Sequence, residues 1–308
     1  MSSPESDLVP ALAQAREAFL GMVESIRPEL HRYCARLTGS VIEGEDIVQE
    51  SLAKAFYALS LATETPPLRP WLFRIAHNAA IDFLKSHGRR LVEARAELDD
   101  VPAEVDERPD PAVVRLALAR FLALPLLQRS AVILKDVLGH SLEEVASITG
   151  ASEAAAKSAL QRGRVRLREF AKEPAHVSLP MLSDGMRARL TTYVEGFKIG
   201  DFDTVRAMLA DDVKLDLVAK LRKRGKSEVG EYYNAYEASK RWAYAAGIAD
   251  GRAAMIVYDR EVSLLTPAYF VALAFEGDRL VSIHDFLYAR YAMDGIDLYL
   301  LSLATGFQ

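Results

Sequence analysis

The residues best suited to do chemistry in this 308-residue chain are a group of cations near its middle, Lys157, Arg162, Arg164, Arg166 and Arg168, with Ser158 and Gln161 among them. Guanidinium and ammonium groups donate hydrogen bonds to phosphate oxygens, and Ser or Gln side chains can pair with base edges. The grouping therefore points to a nucleic acid. The stretch that presents it, SLEEVASITGASEAAAKSALQRGRVRLREF at 141–170, reads as a short helix, a glycine turn and a second, basic helix. Ser141 and Glu144 form an S-x-x-E capping box, which starts the first helix near Leu142. Leu142, Val145, Ala146 and Ile148 make its buried side. Gly150 supplies the turn and Ser152 caps the second helix. Ala156, Leu160, Gly163, Leu167 and Phe170 recur at helical spacing as an inward stripe. That leaves Lys157, Ser158, Gln161, Arg162, Arg164 and Arg168 outside. A helix-turn-helix of this kind sets its second helix in a DNA groove, early residues toward base edges and later arginines toward phosphates. A solvated basic helix face would have the same composition.

The rest of the chain frames that motif. Its length suggests two domains or slightly more. Net charge is −5, so the whole molecule is not a basic nucleic-acid coat. The charge is uneven, however. Residues 69–90 and 157–172 are basic, whereas 93–110 carries eight acids against Arg95 and Arg108. Such blocks suggest modules with separate tasks. The one cysteine, Cys34, excludes an intrachain disulfide and a cysteine-based metal site. It sits in an apolar helical segment, and core packing is its expected role. No metal or cofactor is expected. No signal-like N-terminus and no bilayer-length apolar run is seen, so a cytoplasmic location without a membrane partner is expected.

Helices are predicted over 11–90. In 44–60, Val48, Leu52, Ala55, Phe56 and Leu59 share one side, with Asp46, Gln49, Glu50 and Lys54 elsewhere around the helix. The stretch 60–68 is a loop, because Pro66-Pro67 forbids helix. From Arg69, Leu72, Ile75, Ala76, Ala79 and Phe83 point inward and Arg74, Asn78 and Lys85 outward, with His77 and Asp82 flanking them. Residues 91–111 are acidic, contain Pro102, Pro109 and Pro111, and read as an extended linker. Residues 112–172 return to helix, with Pro125 starting a new one. Beyond a break at 173–180, one or two helices occupy 186–209. Strand-like runs follow: VKLDLVA, WAYAAGIA, RAAMIVYD, YFVALAFE and RLVSIHDFLYARYAM. Asp250-Gly251 and Gly277-Asp278 fit hairpin turns. Helices followed by such an antiparallel set predict an α+β domain.

Three segments, in order, resemble the extracytoplasmic-function sigma factors, promoter-specificity subunits of bacterial RNA polymerase. GEDIVQESLAKAF (44–56) is similar to the family's core-polymerase-binding helix. RPWLFRIAHNAAIDFLKSHGRR (69–90) is similar to its −10 element helix. LPLLQRSAVILKDVLGHSLEEVASITGASEAAAKSALQRGRVRLRE (124–169) is similar to its −35 helix-turn-helix. The resemblance implies two all-α modules: a sigma region 2 helical bundle at 11–90 and a sigma region 4 helix-turn-helix at 112–172, joined by the acidic linker 91–111. It implies core RNA polymerase, through its clamp and flap regions, and promoter DNA as partners. Asp46, Gln49 and Glu50 would meet the clamp, and Trp71 would be core. Arg74, Asn78, Lys85, Arg89 and Arg90 would meet the −10 region, and Lys157, Ser158, Gln161, Arg162, Arg164 and Arg168 the −35 element. The loop 60–68 stands where the family captures a flipped base, or is an ordinary proline-rich connection. The linker threads a polymerase channel or is a plain tether. Many relatives carry Arg where this chain has Ala159, so base contacts there are expected to differ.

Residues 181–308 resemble the SnoaL-like branch of the NTF2-like fold, a curved sheet with helices around a cone-shaped pocket. The glycine-rich motif of the best-known sigma group with such an extension is replaced by KLRKRGK (220–226). The resemblance implies a regulatory domain with a small-molecule ligand as a further expectation. His284 and Asp285 are adjacent on a strand and so point to opposite faces. They cannot act side by side, and no reaction of its own is expected. Asp216 or Tyr258 facing His284 would line a pocket. The five cations Lys220, Arg222, Lys223, Arg224 and Lys226 make a solvated hairpin, or contact the linker or DNA. The apolar tail IDLYLLSL (296–303) completes the pocket or docks on the first module. The expected activity is that of a sigma factor controlled in cis. The competing class is a one-component helix-turn-helix regulator with an effector-binding domain, which leaves the Asp46 helix without a role.

Overall fold

The computed structural model describes residues 4–96, 118–171 and 181–301, with side chains from residue 13 and, in α4, as far as residue 86. Its contacts divide the chain into two units, 1–92 with 116–175, and 93–115 with 176–308.

The first unit is helical. Helices α1 (Pro4–Val23), α2 (Arg27–Thr38), α3 (Val41–Leu61) and α4 (Leu68–Ala96) come first. Next come α5 (Leu126–Val132), which runs on as a π turn (Ile133–Val137), then α6 (Leu142–Thr149) and α7 (Glu153–Phe170). Local chemistry sets the ends. Ser40 Oγ accepts from Glu43 N at 3.1 Å to start α3, and Pro125 stands immediately before α5. The expected capping box is formed: Ser141 N donates to Glu144 at 2.7 Å and Glu144 N to Ser141 Oγ at 3.0 Å. Gly150 closes α6 in the left-handed region, φ 69°. Helices α2 and α3 cross closely at Gly44, where a Cβ would lie 2.6 Å from Ala35 N, so only glycine fits. Cys34 is buried in this core, as expected.

One hydrophobic core joins α2–α4 to α5–α7, with Leu37, Leu72 and Phe73 from the first group and Ile133, Val145 and Leu160 from the second. Each such side chain withdrawn from water contributes about 1.5–3 kcal/mol. Two polar contacts mark the seam. His140 sits edge-on to Phe73 with ring centroids 4.7 Å apart, and Arg129 Nη1 donates to Leu37 O at 2.6 Å.

Two expectations need correction here. Helix α4 continues past Arg90 to Ala96, into the stretch read as linker. The reason is local: 91–96 are good helix formers, and no proline occurs before Pro102. The remainder of that stretch, 97–111, lies outside the described residues. His77, read as flanking, is buried, with its Nδ1 2.6 Å from the Tyr33 hydroxyl.

The second unit is α+β, as expected. Helices α8 (Asp184–Ile199), α9 (Phe202–Ala207) and α10 (Lys226–Glu237) pack on a seven-stranded sheet ordered β2-β1-β6-β5-β4-β3-β7. The strands are β1 (Leu209–Leu217), β2 (Leu221–Arg224), β3 (Trp242–Ala249), β4 (Arg252–Asp259), β5 (Tyr269–Glu276), β6 (Arg279–Asp285) and β7 (Leu298–Leu300). The sheet is not wholly antiparallel, because β1 pairs with β6 in parallel. The run read as one strand to Met293 ends at Asp285 and gives way to a 3-10 turn, Arg290–Met293. Asp285 ends it by accepting from Leu287 N at 2.8 Å, which bends the chain out of the ladder. Asp250 and Gly251 take positive φ, 56° and 75°, as a type I′ hairpin demands. The helix α10 was not anticipated. The tail is an edge strand, with Tyr299 paired to Ile248. No helix among the described residues is long and apolar enough to cross a membrane.

Candidate nucleic-acid interface

Helix α7 presents the expected face. Ala156, Leu160 and Gly163 are buried against the first unit's core, and Lys157, Ser158, Gln161, Arg162 and Arg168 are exposed. Ser152 Oγ accepts from Ala155 N at 3.2 Å and fixes where the face begins. Two residues depart from expectation. Ala159 is fully buried, so it is a packing position and offers no base contact. Arg164 is exposed but held by Asp136, its Nε 2.9 Å from the carboxylate and its Nη2 also bound. Arg166 lies over the Phe170 ring at 5.7 Å.

On α4, Leu72, Ala76 and Ala79 are buried, with Ile75 and Phe83 partly so. Arg74, Asn78 and Lys85 are exposed and share one face, since positions four and seven apart lie above one another on a helix. Arg89 and Arg90 fall in α4 beyond the described side chains. Trp71 packs against the core. Its neighbour Arg69 donates to Glu29 at 2.7 and 3.0 Å, fixing α4 to α2. The stretch 62–67 is an exposed irregular loop, as the two prolines require.

On α3, Ile47, Val48, Leu52 and Ala55 are buried. Asp46 and Gln49 are half-buried and Glu50 is exposed, 2.6 Å from Lys54. Glu45, one residue away, has a different role: it is buried and paired with Arg27 of α2. Burial leaves the histidines of this unit uncharged. The pKa of His77 is pushed down to about 4 by desolvation, and those of His31 and His140 are lowered for the same first reason.

In the second unit the expected pocket residues are not where a pocket would need them. Asp216 and His284 are register partners on β1 and β6, as anticipated. They lie on the sheet face opposite the one that carries Leu215, Ile283, Met255 and Val257 against the helices, because side chains alternate. Tyr258 is on the same outer face but on β4, with β5 between it and β6. Arg222 Nε donates to Asp216 at 2.8 Å, and Lys223 is bound to Glu231 at 3.1 Å. Two of the five cations of the β1–β2 hairpin are thus paired within the unit.

The polar group that does face the helices is Asp285. It is fully buried, and both Tyr232 and Tyr236 of α10 donate to it, Tyr236 at 2.6 Å. Tyr236 also lies 3.0 Å from the Tyr269 hydroxyl. Burial raises the Asp285 pKa above the ordinary carboxylate range, although these donors pull the other way. The alternation argument placed Asp285 opposite His284 correctly. Its tyrosine partners lie on α10, which the sequence pattern did not show.

A family model described as Sigma-70 region 2 matches residues 22–90, and one described as Sigma-70, region 4 matches residues 115–167. The chain is 32% identical over 216 residues to the ECF RNA polymerase sigma factor SigG of Mycobacterium tuberculosis, a match spanning 62% of this chain and 58% of SigG. It is 30% identical over 162 residues to the RNA polymerase sigma factor CarQ of Myxococcus xanthus, spanning 52% of this chain and 92% of CarQ. Among solved structures it is similar to the extracytoplasmic function sigma factor SigJ of Mycobacterium tuberculosis, with 20% identity, 86% of this chain and 95% of that one covered, and a TM-score of 0.34.

Proposed function

The chain belongs to the extracytoplasmic-function sigma factors, and from that membership we propose that it binds core RNA polymerase, reads −35 and −10 promoter elements and starts transcription in the cytoplasm. The observation that carries this reading is the placement of three separate polar faces around one core. The face of α7 with Lys157, Ser158, Gln161, Arg162 and Arg168 enters the −35 groove. The α4 stripe of Arg74, Asn78 and Lys85 follows the −10 strand, continued by Arg89 and Arg90. Asp46, Gln49 and Glu50 on α3 meet a basic surface of the polymerase clamp, and region 4 meets the flap. Arg164 contributes less than its charge suggests, since Asp136 already neutralises it.

The loop 62–67 receives a base flipped from the non-template strand. Unstacking that base costs a few kcal/mol, about the value of the charge-assisted contacts that the α4 stripe adds beside it. The four parts are region 2 at 11–90, the linker 91–111, region 4 at 112–172 and the NTF2-like domain at 181–308. That last domain controls the factor in cis and carries out no reaction. Support for the absence of catalysis comes from His284 and Asp285, which face away from each other across the sheet. A small-molecule effector for this domain is part of the same proposal.

The test is binding to bacterial core RNA polymerase by full length, by residues 1–172 and by full-length Asp46→Arg. Binding by the parent and its loss in Asp46→Arg supports the sigma role. The affinity of 1–172 relative to full length gives the sign of control. If neither full length nor 1–172 binds although both fold, the proposal fails and a one-component regulator takes its place.

A further inference from the structure

We propose that Tyr57 and Leu61 extend the polymerase-binding face of α3 and dock in an apolar depression on the clamp, next to the basic surface that takes the acids. The inference rests on the sigma reading above and deepens it.

The geometry of α3 carries the proposal. At about 100° per residue, Glu50, Ala53, Tyr57 and Leu61 all fall within about 60° of Asp46 around the helix axis. The buried side, Val48, Leu52 and Ala55, lies opposite. One continuous stripe thus starts acidic at Asp46 and Glu50, passes a small exposed Ala53, and ends apolar about 16 Å further on at Tyr57. Tyr57 is 68% and Leu61 69% exposed. The core of the unit takes Phe56 and Leu59 from the same turns instead. The outward turn of Tyr57 and Leu61 is therefore set by register. A single exposed hydrophobe needs no explanation. Two large ones in line with the acids that meet the clamp are different, because tyrosine is enriched among residues that anchor interfaces. Continuity with that acidic face argues for one occupant, the clamp. The chemistry demanded of it is cationic toward the start of α3 and apolar toward its end.

The two halves of the stripe should respond differently to salt. Charge pairs at an interface rim weaken as salt screens them, whereas apolar burial does not. The experiment is a titration of labelled full-length protein with core RNA polymerase at low and high salt. The set is the parent, Tyr57→Ala, Tyr57→Phe, Leu61→Ser and Glu50→Lys, each with a thermal melt. Tyr57→Ala and Leu61→Ser should each weaken binding about tenfold, with the parent's salt dependence and melting temperature. Tyr57→Phe, which keeps the ring, should recover most of the loss. Glu50→Lys should instead change the salt dependence. Equal affinity of Tyr57→Ala, Leu61→Ser and parent overturns the inference and leaves the sigma reading standing. Unchanged core affinity with a drop only in open-complex formation also overturns it, and assigns Tyr57 to stacking on the melted strand. A parent that does not bind core polymerase removes the sigma reading itself, a separate and recognisable failure.

Discussion

Arg162 and Arg164 stand two positions apart on α7 and should behave differently. Arg162 is exposed, whereas Arg164 is bound by both its Nε and Nη2 to Asp136. Arg162→Ala should lower affinity for a −35 duplex and reduce the log-affinity against log-salt slope by about 1, the signature of one lost phosphate contact. Arg164→Ala should change that slope by less than half as much. An equal effect of the two substitutions would show that Asp136 releases Arg164 on DNA. In the second unit, Asp285→Ala would leave the hydroxyls of Tyr232 and Tyr236 without their acceptor in a buried site. It should cost about 2–4 kcal/mol in urea unfolding. Asp285→Asn keeps an acceptor and removes a buried charge, so its cost should be clearly smaller; equal losses would mean that the charge, not the acceptor, holds α10.

At the scale of elements, β7 depends on a missing side chain. A Cβ at Gly247 would lie 2.6 Å from Tyr299 O and 2.7 Å from Ile256 Cγ1. Gly247→Val should therefore release β7 from the β3 edge, destabilising the unit by about 1–3 kcal/mol. Amide exchange at Leu301, whose N–H is bonded to Ala246 O at 2.9 Å, reads this directly. Unchanged protection there would mean that the strand is held otherwise. The helix-turn-helix needed no such long-range information. Its capping box, its glycine turn and its second cap all act within three or four residues, so the text of 141–152 specifies them. The tail was ambiguous from the text, because Ile296 to Leu303 is apolar whether it joins a sheet edge or docks elsewhere. Only the neighbouring strand decides that.

At the scale of the molecule there are two separate hydrophobic cores, each with its own tryptophan, Trp71 in the first and Trp242 in the second. The first core holds His77, with a pKa pushed down to about 4 against an unfolded value of 6.5, and His31 and His140, shifted in the same direction. Between those values the unfolded state binds more protons than the folded one, so stability falls as pH falls. His77 alone should cost about 2 kcal/mol between pH 7 and pH 5. Melts at these two pH values, followed by fluorescence in proteins retaining one tryptophan at a time, should show the Trp71 transition moving down. His77→Phe should reduce that shift. An acid shift of the same size in that variant would place the titration elsewhere.

The sequence by itself determined the order of modules, the helix-turn-helix, the α+β class of the second unit and the outward faces of α3, α4 and α7. Each of these is written in periodicity, caps and turns, which act over a few residues and need no partner. Tertiary structure alone decided the rest. His77 became core because Tyr33, 44 residues away in the chain, reaches it. Ala159 became a packing position because α7 buries a wider stripe than the text suggested, and Arg164 acquired a partner from the turn after α5. The parallel pairing of β1 with β6 turned Asp216 and His284 to one face and set Asp285 among the tyrosines of α10 on the other. Contacts between segments distant in sequence carry no local signature, since what fixes them is the packing of whole elements.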